Sequence, residues 1–264
     1  MKLFYRKYGE GPPLFILHGL YGSSDNWATI AKGLSDCFTV YLPDQRNHGQ
    51  SPHSDIHTYD SMRNDLFELA TDLKINKFFL AGHSMGGKTA ISFALKYPEM
   101  LNGLLIADIS PFVDEVRNRV AYNNHKHILE AMLSLDPGKI SRRDDAESFL
   151  KEKIKDEKIR GFILKNLQRG SNNDFSWKLN VASLLKNLEN IMNGIERGKA
   201  FNQPVTGFPV IFIKGGDSDY ISTDDYEGIL QVFPVAEFVV AEGAGHWIHA
   251  DSPDMVISNL KRLL

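Results

Sequence analysis

Residues 77–88 read Lys-Phe-Phe-Leu-Ala-Gly-His-Ser-Met-Gly-Gly-Lys, and this stretch decides the fold. Its first half is mostly apolar, as is typical of a strand that is buried on both faces. Its second half contains the G-x-S-x-G sequence of residues 82–86 and leads into a helical pattern that ends near Pro98. A strand, a sharp turn and a helix in this order predict that Ser84 is held out above the edge of a sheet.

The alternation of strand and helix extends over most of the chain. Helical spacing of apolar residues covers 59–73, and a last helix is expected after Ser252-Pro253. Further strand candidates lie at 14–17, 38–42, 104–107, 210–213 and 237–240. Apolar strands separated by helices predict an α/β fold with a mostly parallel central sheet and helices on both faces. In such sheets the reactive groups gather beyond the carboxyl ends of the strands.

One stretch interrupts this alternation. Residues 112–202 contain no strand-like run and instead show helical patterns at 116–135, 144–154, 158–167 and 181–192. We therefore predict a core formed by residues 1–111 and 203–264, with a helical cap insertion at 112–202.

The composition excludes several classes of protein. The 264 residues carry a net charge of −3, so no strong field favours nucleic acid or an anionic membrane. The one cysteine, Cys37, allows no disulfide within the chain, and no apolar run approaches the ~20 residues of a membrane span. No histidine spacing such as H-E-x-x-H indicates a metal. Without a signal-like N-terminus, the expected location is the cytoplasm.

A serine hydroxyl needs a base to remove its proton before it becomes an effective nucleophile. His246 lies in Gly243-Ala244-Gly245-His246-Trp247, a loop of small residues after the last strand candidate. Its position near the end of the chain fits the order serine, acid, histidine. We therefore predict His246 as the base, in preference to His249 three residues later.

The oxyanion of an acyl-transfer intermediate needs hydrogen-bond donors. The first predicted donor is the backbone N–H of Met85, directly after the serine. The second is the N–H of Leu20, in the glycine-containing loop that follows the first core strand. His18 is expected to brace this loop rather than to take part in the chemistry.

Four motifs, in order along the core, resemble the α/β-hydrolase superfamily. They are His-Gly-Leu-Tyr-Gly-Ser at 18–23, Asp-Gln-Arg-Asn-His-Gly-Gln-Ser-Pro at 44–52, Gly-His-Ser-Met-Gly-Gly-Lys at 82–88 and Gly-Ala-Gly-His-Trp at 243–247. The second and third look most similar to the YbfF-like carboxylesterase branch. The resemblance implies a serine esterase with no cofactor, acting on a small-molecule acyl ester or thioester. Within the second motif, Arg46 and Gly49 are expected to be structural.

The residues alone do not decide which aspartate is the acid of the triad. In the family an aspartate commonly follows the strand after the cap, but here the expected position holds Ser218, flanked by Asp217 and Asp219. Some α/β-hydrolases take the acid from the strand after the nucleophile helix, where this chain has Asp108. The YbfF-like branch resembles this chain in having both that aspartate and the later serine. Asp108 is therefore favoured, with Ser218 as a supporting hydrogen-bond donor.

Other functions share this skeleton. A C–C bond hydrolase, or a lyase that acts on a small acidic metabolite, would use the same triad but would also need cationic side chains in its pocket. Lys88, Arg117 and Arg119 are the candidates, and the sequence does not place any of them there. A small-molecule receptor built on the hydrolase fold is the non-enzymatic alternative. Phe112 and Trp177 are predicted to line the substrate pocket. The sequence is compatible with a monomer or a homodimer.

Overall fold

The computed structural model describes residues 1–171, 174–194 and 203–264. Its strands are β1 (Tyr5–Tyr8), β2 (Pro13–Leu17), β3 (Thr39–Pro43), β4 (Phe78–His83), β5 (Leu101–Ala107), β6 (Leu167–Arg169), β7 (Phe175–Trp177), β8 (Val210–Gly215) and β9 (Ala236–Ala241). Seven of them form one sheet in the order β1-β3-β2-β4-β5-β8-β9. Within that sheet β1 pairs antiparallel with β3, and all other neighbours are parallel. The predicted α/β fold with a mostly parallel central sheet is confirmed.

The described helices surround this sheet and follow its strands. They are α1 (Ala28–Gly33), α2 (Tyr59–Asp72), α3 (Met85–Lys96), α4 (Glu115–Ser134), α5 (Arg143–Lys153), α6 (Glu157–Leu164), α7 (Val181–Lys186), α8 (Leu188–Met192), α9 (Tyr226–Val232), α10 (Ile248–Asp251) and α11 (Pro253–Lys261). Side-chain caps start several of them; Thr58, for example, accepts a hydrogen bond from the N–H of Ser61 at the start of α2. Among these described helices, none combines the length and the apolar character that crossing a bilayer requires.

The central strands are apolar on both faces because helices cover both sides of the sheet. Phe15 and Leu17 of β2 pack into one core cluster, while Leu14 and Ile16 pack into the other. Because successive side chains of a strand point to opposite faces, an unbroken apolar run is what this position requires.

Two strand pairings were missed in the sequence. The edge strand β1 has the sequence Tyr-Arg-Lys-Tyr and is partly exposed, since it pairs only with β3. Strands β6 and β7 form a separate two-stranded sheet between α6 and α7, so the expectation of a purely helical segment at 112–202 is wrong there. Each of these two strands has three residues, and exposed polar Gln168, Arg169 and Ser176 interrupt them, so neither produces an apolar run.

The segment between β5 and β8, hereafter the insertion, contains α4 to α8 and this small sheet. The helix expected at 181–192 is divided into α7 and α8 at Asn187. The end of the predicted insertion, at 195–202, lies outside the described residues. Apolar side chains of the insertion pack on Leu20, Tyr21, Met62 and Met85 of the core, so the two parts share one hydrophobic cluster.

The strand order places the candidate residues at one edge of the sheet. After β2 the chain forms β3 on one side, and it then crosses back to form β4 on the other side of β2. The crevice beyond the carboxyl ends of β2 and β4 is therefore the topological switch point, where ligands bind in open α/β sheets. His18 follows β2 and Ser84 follows β4, while Asp108 follows β5.

The loop at 44–52 has the structural role expected of Arg46 and Gly49. The Arg46 guanidinium donates to both Asp65 carboxylate oxygens, at 2.6 and 2.8 Å, and to the carbonyl of Ile56 at 3.0 Å. Gly49 has φ 57°, and a Cβ there would lie 2.1 Å from an Asp44 carboxylate oxygen. The loop is thus held by a buried ion pair and by a glycine that no other residue could replace without strain.

We expect Arg46→Met to lower the free energy of unfolding by about 3 kcal/mol, because it leaves the buried Asp65 carboxylate without its guanidinium. Urea denaturation followed by circular dichroism measures the change. Lys261→Met is the matched control, since it breaks an exposed pair with Asp36 and should give no resolvable change. Equal effects of the two substitutions would contradict this account.

Candidate active site

Ser84 occupies a strained turn between β4 and α3. Its backbone has φ 52° and ψ −119°, a region that non-glycine residues rarely enter. The turn is tight enough that a Cβ at Gly82 would lie 2.3 Å from the Gly86 carbonyl oxygen. A Cβ at Gly86 would lie 2.4 Å from the Leu17 carbonyl oxygen, so both glycines of the G-x-S-x-G sequence are sterically required.

Asp108 is the carboxylate that the structure pairs with His246. The Nδ1–H of His246 donates to Asp108 Oδ2 at 2.8 Å. The same oxygen accepts a hydrogen bond from the Ser218 hydroxyl, and Oδ1 accepts one from the Gly215 N–H at 2.9 Å. Asp217 and Asp219 lie at the same cavity, but no described hydrogen bond joins either carboxylate to His246.

The loop after β2 is braced by His18, as expected. Its Nδ1–H donates to the Gly19 carbonyl, and its Nε2 accepts from the Gln45 N–H, both at 2.9 Å. Burial lowers the pKa of His18 below its ordinary value, which favours the neutral ring that this bonding pattern requires. Leu20 and Met85 both line the cavity beside Ser84. Because Met85 is the first residue of α3, its N–H has no partner within the helix.

His246 is held from two further sides. The Tyr220 ring stacks on it, with centroids 3.7 Å apart and planes inclined by 17°. The Nε2–H of His83 donates to the His246 carbonyl at 2.7 Å. Burial, with a smaller contribution from Asp108, raises the pKa of Tyr220 to about 12, so its hydroxyl keeps its proton.

The insertion contacts this site through His125 and Asn166. His125 Nδ1 is hydrogen-bonded to the Tyr21 hydroxyl at 3.1 Å, and its Nε2 to the Tyr220 hydroxyl at 3.4 Å. Asn166 Nδ2 donates to the Tyr21 carbonyl at 2.9 Å. Tyr21 adjoins Leu20 and has φ 63°, so the insertion holds a strained part of the loop. No sequence motif indicates these contacts, because they join residues 95 to 145 positions apart.

A model of the alpha/beta hydrolase fold family matches residues 12–253. The chain belongs to the α/β-hydrolase family. The sn-1-specific diacylglycerol lipase ABHD11 of Danio rerio is 40% identical over 258 residues, which cover 96% of this chain and 78% of that protein. Esterase YbfF of Escherichia coli (strain K12) is 31% identical over 252 residues, which cover 96% of this chain and 92% of that protein.

The solved structure of a marine microorganism esterase superposes on this α/β-hydrolase with a TM-score of 0.93 and 44% identity. The alignment covers 100% of this chain and 99% of the esterase. These similarities confirm the family and the esterase resemblance that the motifs indicated.

Two cavities meet at Ser84 and His246. The first, of about 440 Å³, lies between the core and the insertion and includes Phe112 in its wall. The second, of about 640 Å³, is lined by the loops around Gly19 and Trp247 and by Phe162 of α6. The prediction that Trp177 lines the pocket is wrong, because it lies in β7 and borders neither cavity. Lys88 and Arg117 do line the first cavity, whereas Arg119 does not.

The titratable residues of the site indicate no metal centre. Among residues 1–171, 174–194 and 203–264, no three histidine, cysteine or acidic side chains are grouped closely enough to hold a metal ion.

Burial lowers the pKa of His125 to about 4, with smaller contributions from His246 and Lys88. Between pH 4 and 6.5 this histidine is protonated in the unfolded chain but neutral in the folded protein. Its contribution to the stability of the folded state is therefore complete above pH 6.5 and is lost as the pH falls toward 4. We expect His125→Gln to make the free energy of unfolding less dependent on pH in that range, by about 1.4 kcal/mol per pH unit.

Urea denaturation across this pH range measures the slope. His127→Gln is the matched control, because it replaces an exposed histidine of the same helix. A slope change of equal size in both variants would contradict a specific role of burial at His125.

Proposed function

We propose that this α/β-hydrolase is a serine carboxylesterase that works through Ser84, His246 and Asp108. The observation that carries the proposal is the bond of 2.8 Å between His246 and the buried Asp108, at a cavity that Ser84 also lines. The esterases and lipase to which the chain is similar support ester hydrolysis.

The proposed reaction has two steps. His246 Nε2 takes the proton of Ser84 as Oγ bonds to the acyl carbon, and it gives that proton to the leaving oxygen as the ester bond breaks. In the second step His246 takes a proton from water as the water oxygen bonds to the acyl carbon, and it returns this proton to Ser84 Oγ as the acid leaves. Asp108 fixes the Nδ1–H tautomer and stabilises the imidazolium that forms in each step.

The oxyanion of each tetrahedral intermediate would be bound by the N–H groups of Leu20 and Met85. Both residues flank Ser84 at the cavity, and Met85 begins the helix whose N-terminus favours negative charge. A Cβ at Gly19 would lie 2.8 Å from the His83 side chain, so the loop after β2 packs as closely against the turn at Ser84 as a backbone can. This close approach supports the pairing of the two donors.

We assign the first cavity to the acyl group and the second to the leaving group. The first is mostly apolar and lies under the described part of the insertion, which in this proposal acts as a cap. The second exposes more polar surface, and Asp156 and Lys158 lie in its wall. The same chemistry serves an oxygen ester or a thioester, because both expel their leaving group from one tetrahedral intermediate.

A p-nitrophenyl ester series from acetate upward tests the triad. Ser84→Ala should abolish hydrolysis, and Asp108→Asn should lower kcat by on the order of 10³–10⁴, because the amide favours the wrong histidine tautomer. Asp219→Asn is the matched control at the same cavity and should retain most of the activity. Loss of activity in Asp219→Asn but not in Asp108→Asn would reassign the acid.

Asn166→Leu should lower kcat about tenfold with a smaller change in KM, because a displaced oxyanion donor weakens binding of the transition state rather than of the substrate. Affinity for a trifluoromethyl ketone, which forms a tetrahedral adduct with the serine, should fall in parallel. Gln168→Leu removes an exposed amide two residues later and serves as the control. A change in KM alone would show that Asn166 acts on substrate binding instead.

A further inference from the structure

Lys88 is a buried cation in the wall of the first cavity. It lies on α3 four residues after Ser84, and its N–H donates to the Ser84 carbonyl at 3.0 Å. Ser84 directly precedes α3, and both residues line the same cavity. The side chain is 6% exposed and borders the cavity beside Met85 and Met192. The proposed mechanism does not use it.

The charge of Lys88 has no acidic partner in the described part of the chain. Its Nζ donates to the Met192 carbonyl at 2.9 Å and to the Asn193 carbonyl at 3.2 Å. These are two neutral acceptors for the three N–H bonds of an ammonium. Burial lowers the pKa of Lys88 to about 7, which is the expected consequence of a cation without a counter-charge.

Arg117, the other cation at this cavity, is in a different position. Its guanidinium lies 3.4 Å from the Asp225 carboxylate and 3.7 Å from that of Asp114. It also donates to the Asp219 carbonyl at 3.0 Å. Its charge is therefore already compensated, and Lys88 is the cation that lacks an anion.

We propose that Lys88 forms a carboxylate-binding subsite, which selects short acyl groups that end in a carboxylate. The substrates would be half-esters or half-thioesters of short dicarboxylic acids. The apolar side chains of Met85, Ile191 and Met192 would contact the methylene chain between the ester carbonyl and the carboxylate. This inference rests on the proposed esterase function and names its acyl specificity.

The physical basis is the missing counter-charge. A substrate carboxylate accepts from the remaining N–H of Lys88 and neutralises a charge that the protein buries without an acid. Lys88 lies in the first turn of α3, directly after the Ser84 turn, and both residues line the first cavity. This proximity favours a short chain, since the carboxylate must reach Nζ while the ester carbonyl stays at Oγ. A neutral acyl group of equal length would leave the ammonium with only its neutral contacts, which are the two carbonyls and the Tyr59 ring 5.8 Å away.

The test compares monoethyl glutarate with ethyl pentanoate, which have the same acyl length, by measuring released ethanol. Alkyl half-esters are used because the carboxylate of an aryl half-ester attacks its own ester. The wild type should prefer the half-ester in kcat/KM, and Lys88→Met should lower that preference by about tenfold to a hundredfold. Lys88→Arg, which keeps the charge, should retain part of the preference.

Tyr59→Phe is the matched control for cap anchoring. It removes the bond of 2.6 Å from the Tyr59 hydroxyl to the Ile191 carbonyl, next to the carbonyls that Lys88 holds, but it leaves the cation in place. The preference should persist in this variant. A loss of preference as large as in Lys88→Met would assign the effect to the cap and overturn the subsite, as would a loss in Arg117→Met instead.

The two proposals fail in different ways. If the wild type hydrolyses neither ester above the Ser84→Ala background, the esterase function fails. If it hydrolyses ethyl pentanoate without preferring the half-ester, only the subsite fails. Should Lys88→Met lose all activity, calorimetry of monoethyl glutarate with Ser84→Ala and with Ser84→Ala/Lys88→Met decides the question. Equal affinity of these two proteins overturns the subsite, and weaker binding by the double variant supports it.

Discussion

The buried carboxylate of Asp108 is the constraint on which the arrangement of the site depends. A carboxylate with 0% exposure is stable only where hydrogen bonds replace its hydration. The donors come from Gly215 at the end of β8, from Ser218 in the following loop and from His246 after β9. Hydrogen-bonding this one carboxylate therefore brings two distant segments, residues 215–218 and the loop of His246, to the end of β5, and the position of the imidazole follows from that requirement.

Backbone strain is concentrated at the same place. Tyr21, Ser84 and Asp108 all have positive φ, and each lies in a loop that directly follows a strand of the parallel sheet. Such conformations persist only when their surroundings hold them. The Ser84 N–H donates to the Ala107 carbonyl, and the Asp108 N–H donates to the Ile213 carbonyl. The strained turns are thus tied to neighbouring strands, whose apolar packing stabilises them.

The parts of the site that are local in the sequence were predictable, and those that depend on distant contacts were not. The G-x-S-x-G sequence and the loop around His246 each carry their signal within a few residues. The sequence favoured Asp108 over Asp219 as the acid but could not exclude Asp219, because only the three-dimensional structure shows which carboxylate contacts the imidazole. The stacking of Tyr220 and the place of His125 depend on the packing of the insertion. Strand β1 was missed because an edge strand needs no apolar run.

The histidines that surround His246 show why burial matters for its chemistry. The rings of His83 and His246 are 4.7 Å apart, and His249 packs against His83 at 5.0 Å. Burial lowers the pKa of His83 well below its ordinary value and that of His249 to about 4, so both are neutral when His246 accepts a proton in the proposed mechanism. A charged neighbour would oppose the imidazolium by like-charge repulsion. These neutral rings therefore add no repulsion to the proposed imidazolium, and the Asp108 carboxylate that accepts from its Nδ1–H would stabilise it.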